Sequence, residues 1–143
     1  MDNLDSLLAC ADEQGIDVDW FPMNRAESLS IPLSGDTYGI AIDPFKIKST
    51  PDLVHKLAHE IGHCVTGSFY NRYTKFDIRQ RHENRADKWA ISHLIPVEEL
   101  DEAVAGGCSE LWELAEWFGV TEQFMKKAVC YHVHGNVATE LYF

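Results

Sequence analysis

In the middle of the chain, apolar residues recur every four positions. Leu53, Leu57, Ile61 and Val65 form this series, which predicts a helix with one buried stripe. Thr50 reads as its N-cap, Pro51 suits its first position, and Asp52 favours the positive end of its dipole. Gly67 reads as its stop. Ahead of this helix, Asn3 is placed to cap an earlier one whose apolar positions are Leu4, Leu7, Leu8 and Ala11, ending at Gly15. "DVDWF" reads as a short strand ended by Pro22. "SLSIPLSGDTYGIAID" alternates and turns at Ser34-Gly35-Asp36, which predicts a β-hairpin with arms near 29–33 and 38–42. Pro32 has no amide hydrogen, so its arm belongs at an edge or a bulge. After the long helix comes an aromatic loop, then a helix from about 80 to 94 that ends at Pro96. Shorter helices are expected near 97–105 and 109–118. Gly119 turns the chain, and Thr121 caps a last helix to about 131. The order (helix, small antiparallel sheet, then several helices) predicts a mainly helical α+β fold.

Composition narrows this picture. The chain has 143 residues, 45% of them hydrophobic, which suits one domain spanning 1–143 and leaves little room for a second. No apolar run approaches a membrane span, and no basic region with an apolar stretch opens the chain, so the expectation is a cytoplasmic protein with no membrane partner. Cys10, Cys64, Cys108 and Cys130 form no CxxC pair and read as free thiols. The net charge of −11 argues against binding nucleic acid, which needs local positive charge. This bears on residues 109–132, whose pattern resembles a helix-turn-helix. Their second helix offers only Lys126 and Lys127 as cations, while the first carries Glu110, Glu113 and Glu116. Packing, not DNA reading, is the expected role.

The candidate chemistry lies inside the long helix, at His59-Glu60-Ile61-Gly62-His63. Side chains at i and i+4 share a helix face, so His59 and His63 can point two nitrogens at one ion. Zinc takes neutral imidazole well, and catalytic zinc typically has three protein ligands and a water. Glu60 adjoins the first imidazole and can take a proton from that water. Downstream, "HENRADKWA" places Glu83, Ala86, Asp87, Ala90 and Leu94 on one helical face. The two alanines permit close approach of a neighbouring helix. Glu83 can then complete the ligand set, and Asp87 can accept the N–H of a ligating imidazole and fix its tautomer. Manganese or iron would suit the same donors.

HEIGH followed by ExxAD resembles the glutamate-liganded, thermolysin-like zinc peptidases, and more closely the ImmA/IrrE metallopeptidases. The resemblance covers most of the chain from Pro51 onward. It implies His59, His63 and Glu83 as zinc ligands, Glu60 as general base, and cleavage of a specific protein. Family members are often carried by phages and mobile elements, and some cut a helix-turn-helix repressor; the resemblance thus implies a repressor as partner and an anti-repressor role.

Such a hydrolase needs a donor for the oxyanion. His82, Tyr70, Tyr73 and Arg79 are the candidates, with His82 favoured only as the neighbour of Glu83. A substrate peptide would pair with an edge strand, expected at Tyr38, Gly39, Ile40, Ala41 and Ile42. The rival reading is a metal-bearing module that grips a regulator without cutting it; a fourth ligand such as His55 or His82 would favour that. His132 and His134, at i and i+2, suit one face of a strand and lack partners for a second metal.

Overall fold

The computed structural model describes residues 2–143. Helix α1 (Asn3–Glu13) leads into strands β1 (Ile16–Trp20), β2 (Ser28–Pro32) and β3 (Tyr38–Ile42). A 3-10 turn at Pro44–Lys46 precedes α2 (Thr50–Thr66), and α3 (Phe76–Leu94), α4 (Val97–Ala105), α5 (Leu111–Phe118) and α6 (Glu122–His134) follow. The fold is α+β and mainly helical, as the residue pattern predicts. Among the described residues no helix is long and apolar enough to cross a membrane.

The sheet departs from expectation. Its order is β1-β3-β2, with β2 antiparallel to β3 and β1 parallel to it. The sheet is therefore mixed. Tyr38, Gly39, Ile40, Ala41 and Ile42 form the central strand, not an edge. Ile40, Ala41 and Ile42 are buried, as an uninterrupted apolar run on a central strand should be. The flank opposite the hairpin is taken by β1, a pairing that local alternation does not encode. Pro32 does lie on an edge strand, β2.

Helix α2 is the spine. Ser49, one residue before the expected cap, accepts the Asp52 N–H at 3.2 Å, and Thr50 and Pro51 follow inside the helix. Leu57 and Ile61 are fully buried, but Val65 is 39% exposed, because the covered face turns toward Val54, Ala58 and Cys64. Helix α3 lies against α2 at Gly62. A Cβ built on Gly62 would sit 2.5 Å from the Ala86 carbonyl oxygen, so the two backbones touch where no side chain fits. Helix α3 also begins at Phe76, earlier than predicted; Phe76 is 76% exposed, so its first turn carries no amphipathic signal. At the amino end, Asp2 and not Asn3 caps α1, and the Asn3 amide donates to the Phe118 carbonyl at 2.6 Å. This bond ties the first helix to α5.

Candidate metal centre

Close packing of α2 on α3 brings three side chains together. The His59 Nε2 lies 2.9 Å from one Glu83 oxygen, the His63 Nε2 lies 2.9 Å from the other, and the two Nε2 atoms are 3.1 Å apart. His59, His63 and Glu83 form a group able to hold a metal ion. His55, His82 and Glu60 are not members of it.

The opposite edge of each ring decides what the group can bind. His59 Nδ1 donates to Asp87 Oδ1 at 2.7 Å, and His63 Nδ1 donates to the Ser68 carbonyl at 2.5 Å. With both Nδ1 protons committed, neutral rings turn two Nε2 lone pairs toward each other and toward a carboxylate. That arrangement is repulsive until a positive charge enters. Burial opposes a charge on His59, yet hydrogen bonds to Asp87 and Glu83 outweigh it and push its pKa up to about 10. Burial likewise opposes ionised Glu83, but hydrogen bonds from His59 and His63 hold it far below the usual carboxylate range. The field at this point seeks a cation. Two imidazoles and a carboxylate suit a borderline divalent ion, and the donor spacing is close to the ~3.3 Å that tetrahedral bonds of about 2 Å require. The residues fit the metal.

Asp87 is 4% exposed and serves two partners: its second oxygen accepts from Lys127 Nζ at 3.0 Å, which joins α6 to the centre. Burial opposes its charge, but the His59 hydrogen bond and the Lys127 charge keep its pKa below the usual range.

Glu60 is 6% exposed and lines the same cleft of about 280 Å³. Its Oε2 accepts from Ser28 Oγ at 2.7 Å and its Oε1 from Ser30 Oγ at 2.8 Å. These serines escaped the sequence reading. Their signal is the alternation in "SLSIP", which puts two hydroxyls on a face expected to be apolar. The Ser68 carbonyl and Lys127 were also missed, because a loop carbonyl and a contact 40 residues away leave no local trace.

The four oxyanion candidates separate by position. Tyr70 lines the cleft, 43% exposed; partial burial and the neighbouring Glu83 carboxylate push its phenol up to about 12, so it stays a donor. His82 stacks on Tyr70, and its Nδ1 is buried without a hydrogen-bond partner among the described residues. Tyr73 is 79% exposed and accepts from Arg72 outside the cleft. Arg79 is committed to the Thr74 carbonyl at 2.8 Å, also outside it. His55 packs on Phe124 at 4.8 Å between ring centres. Burial, partly offset by Asp87, lowers its pKa to about 4. His132 and His134 lie in the last turn of α6, not on a strand: His132 donates to the Ile95 carbonyl at 2.7 Å, and His134 stacks on Tyr142.

A search of curated proteins found no match. A family model does match, over residues 11–129, and its description is the IrrE N-terminal-like domain of the Peptidase_M78 family. With most of its length covered and a metal-holding triad at the crossing of α2 and α3, the chain belongs to this family, which points to a metallopeptidase type of function with protein as substrate.

Proposed function

We propose that the protein is a zinc-dependent endopeptidase that cuts a specific protein, a helix-turn-helix repressor of a phage or mobile element. The carrying observation is the convergence of His59, His63 and Glu83, with Glu60 beside them in one cleft but outside the ligand group. A purely structural site would have no use for such a carboxylate and would normally close with a fourth ligand. When bound, the zinc supplies Lewis-acid polarisation of the attacking water and the scissile carbonyl. Glu60 takes a proton from that water and delivers it to the departing amine. Asp87 and the Ser68 carbonyl keep both imidazoles in the liganding tautomer. Tyr70, protonated and in the cleft wall, is the donor best placed for the oxyanion. The free flank of β2, not β3, is the edge proposed to pair with an extended peptide. We further propose that 1–143 act as one peptidase domain, with α5 and α6 packing against it and not reading DNA.

The test is incubation of the zinc-loaded protein with the repressor encoded beside its gene, with and without a chelator. Metal-dependent fragments are expected. Glu60→Gln should keep the metal and lose cleavage; cutting at the parent rate would remove Glu60 from the mechanism. Binding without fragments would favour the rival, a module that sequesters its regulator.

A further inference from the structure

The carboxylate of Glu60 is gripped at both oxygens by one strand. Ser28 Oγ reaches Oε2 and Ser30 Oγ reaches Oε1, at 2.7 and 2.8 Å. Alternation along β2 turns these two hydroxyls toward α2 and leaves Leu29 and Ile31 exposed. The strand thus gives apolar side chains to solvent and polar ones to the interior, the reverse of what core packing favours. A buried carboxylate needs donors. Two donors, one per oxygen, do more than satisfy it: they prevent rotation about its terminal bond. An ionised carboxylate accepts at about four positions, so each oxygen keeps acceptor capacity after its serine is bound.

We propose that Ser28 and Ser30 are positioning residues that aim Glu60 at the attacking water; this rests on the reading of Glu60 as general base. Backbone pairing fixes both serines, since Ser28 lies opposite Ile42 and Ser30 opposite Ile40 on the buried central strand. The other flank of β2 is one of the two edges of the sheet. A peptide that pairs there docks on the element that orients the base, so docking and base alignment share one strand.

The experiment uses the zinc-loaded full chain, a Ser28→Ala/Ser30→Ala variant and its Ser28→Thr/Ser30→Thr counterpart. The cleavage probe is a pool of internally quenched random-sequence decapeptides. The alanine variant should hold the same zinc and show an unchanged apparent KM, with kcat lower by about 10-fold to 100-fold. The threonine variant keeps both hydroxyls and should recover most of the rate. A second readout needs no turnover. In protein labelled with ¹³C at the glutamate carboxyl carbons, the Glu60 resonance is identified by its loss in Glu60→Gln. The alanine variant should shift or broaden it, and the threonine variant should restore it. If the parent cuts the pool and the alanine variant matches its kcat, the positioning role is overturned and the peptidase reading survives. If the parent cuts nothing in the pool, a peptidase of broad sequence range is excluded, the peptidase reading is decided by the repressor incubation, and the serine grip stands or falls on the resonance. A Glu60 resonance unmoved by loss of both hydroxyls overturns the proposal in either case.

Discussion

Replacing Gly62 with alanine tests the geometry of the metal centre without touching a ligand. Inside a helix this exchange ordinarily stabilises by about 1 kcal/mol, because alanine loses less backbone freedom. Here the new Cβ would lie 2.5 Å from the Ala86 oxygen and 3.1 Å from its Cα. The obstacle is backbone on a neighbouring helix, which no rotamer change relieves. Ordinary contact distances require α2 and α3 to part by roughly 1 Å, and overpacking of this kind costs about 1–3 kcal/mol. The sign of the stability change therefore reverses, to a net loss of up to ~2 kcal/mol. Glu83 precedes Ala86 by one turn on α3, so it moves away from His59 and His63 with its helix. Metal–donor bonds of about 2 Å do not tolerate a displacement near 1 Å, so the ion is held more weakly. Urea unfolding of the metal-free protein and competition with a chromophoric chelator would measure the two effects. The expected result is a lower unfolding midpoint together with weaker metal binding. A Gly62→Ala protein more stable than its parent, with equal metal affinity, would show that the helices do not meet at this point.

Three further outcomes follow from the same packing. Asp87→Ala frees the His59 ring to turn and should weaken metal binding about 10-fold to 100-fold, measured by chelator competition; unchanged affinity would deny the His59–Asp87 bond a role. A zinc ion held by His59, His63 and Glu83 would link α2 to α3, so at a free concentration 100 times its Kd it should add about 2.7 kcal/mol and raise Tm by roughly 10 °C; equal melting with zinc and with chelator would argue against a site built from both helices. His55 is held near a pKa of about 4 against 6.5 in the open chain, with Asp87, Lys127 and His59 as its charged neighbours. The unfolded chain then takes up a proton between pH 6.5 and 4 that the fold refuses. The contribution of neutral His55 is full above pH 6.5 and is lost as pH falls toward 4, about 3 kcal/mol in all. His55→Gln in the metal-free protein should flatten that loss relative to the parent, and parallel pH–stability curves would rule it out.

The residues differ in how much of this they disclose. His59, Glu60 and His63 are legible because helical spacing alone puts the two imidazoles on one face. Glu83 and Asp87 are legible because Ala86 and Ala90 mark that face as one another helix can approach. Periodicity says which side of an element is covered, but not by what. It therefore missed β1 lying beside β3, and with it the identity of the edge strand. It gave no order among Tyr70, His82, Tyr73 and Arg79 beyond favouring His82 as the neighbour of Glu83, since the loop path that sends Tyr70 to the cleft and Arg79 to the Thr74 carbonyl has no repeat to read. Ser28 and Ser30 went unread although they alternate in "SLSIP", because only the packing of β2 on α2 reveals Glu60 as their acceptor.

The Asp87 carboxylate, shared between His59 and Lys127, bears on any attempt to trim the molecule to its smallest working part. A fragment ending after α3 would retain each liganding atom and look complete on paper. It would lack the ammonium group that faces Asp87, leaving that carboxylate's charge uncompensated on that side and His59 more firmly protonated. Such a fragment would yield its ion to acid sooner than the intact chain, although nothing that touches the ion had been removed.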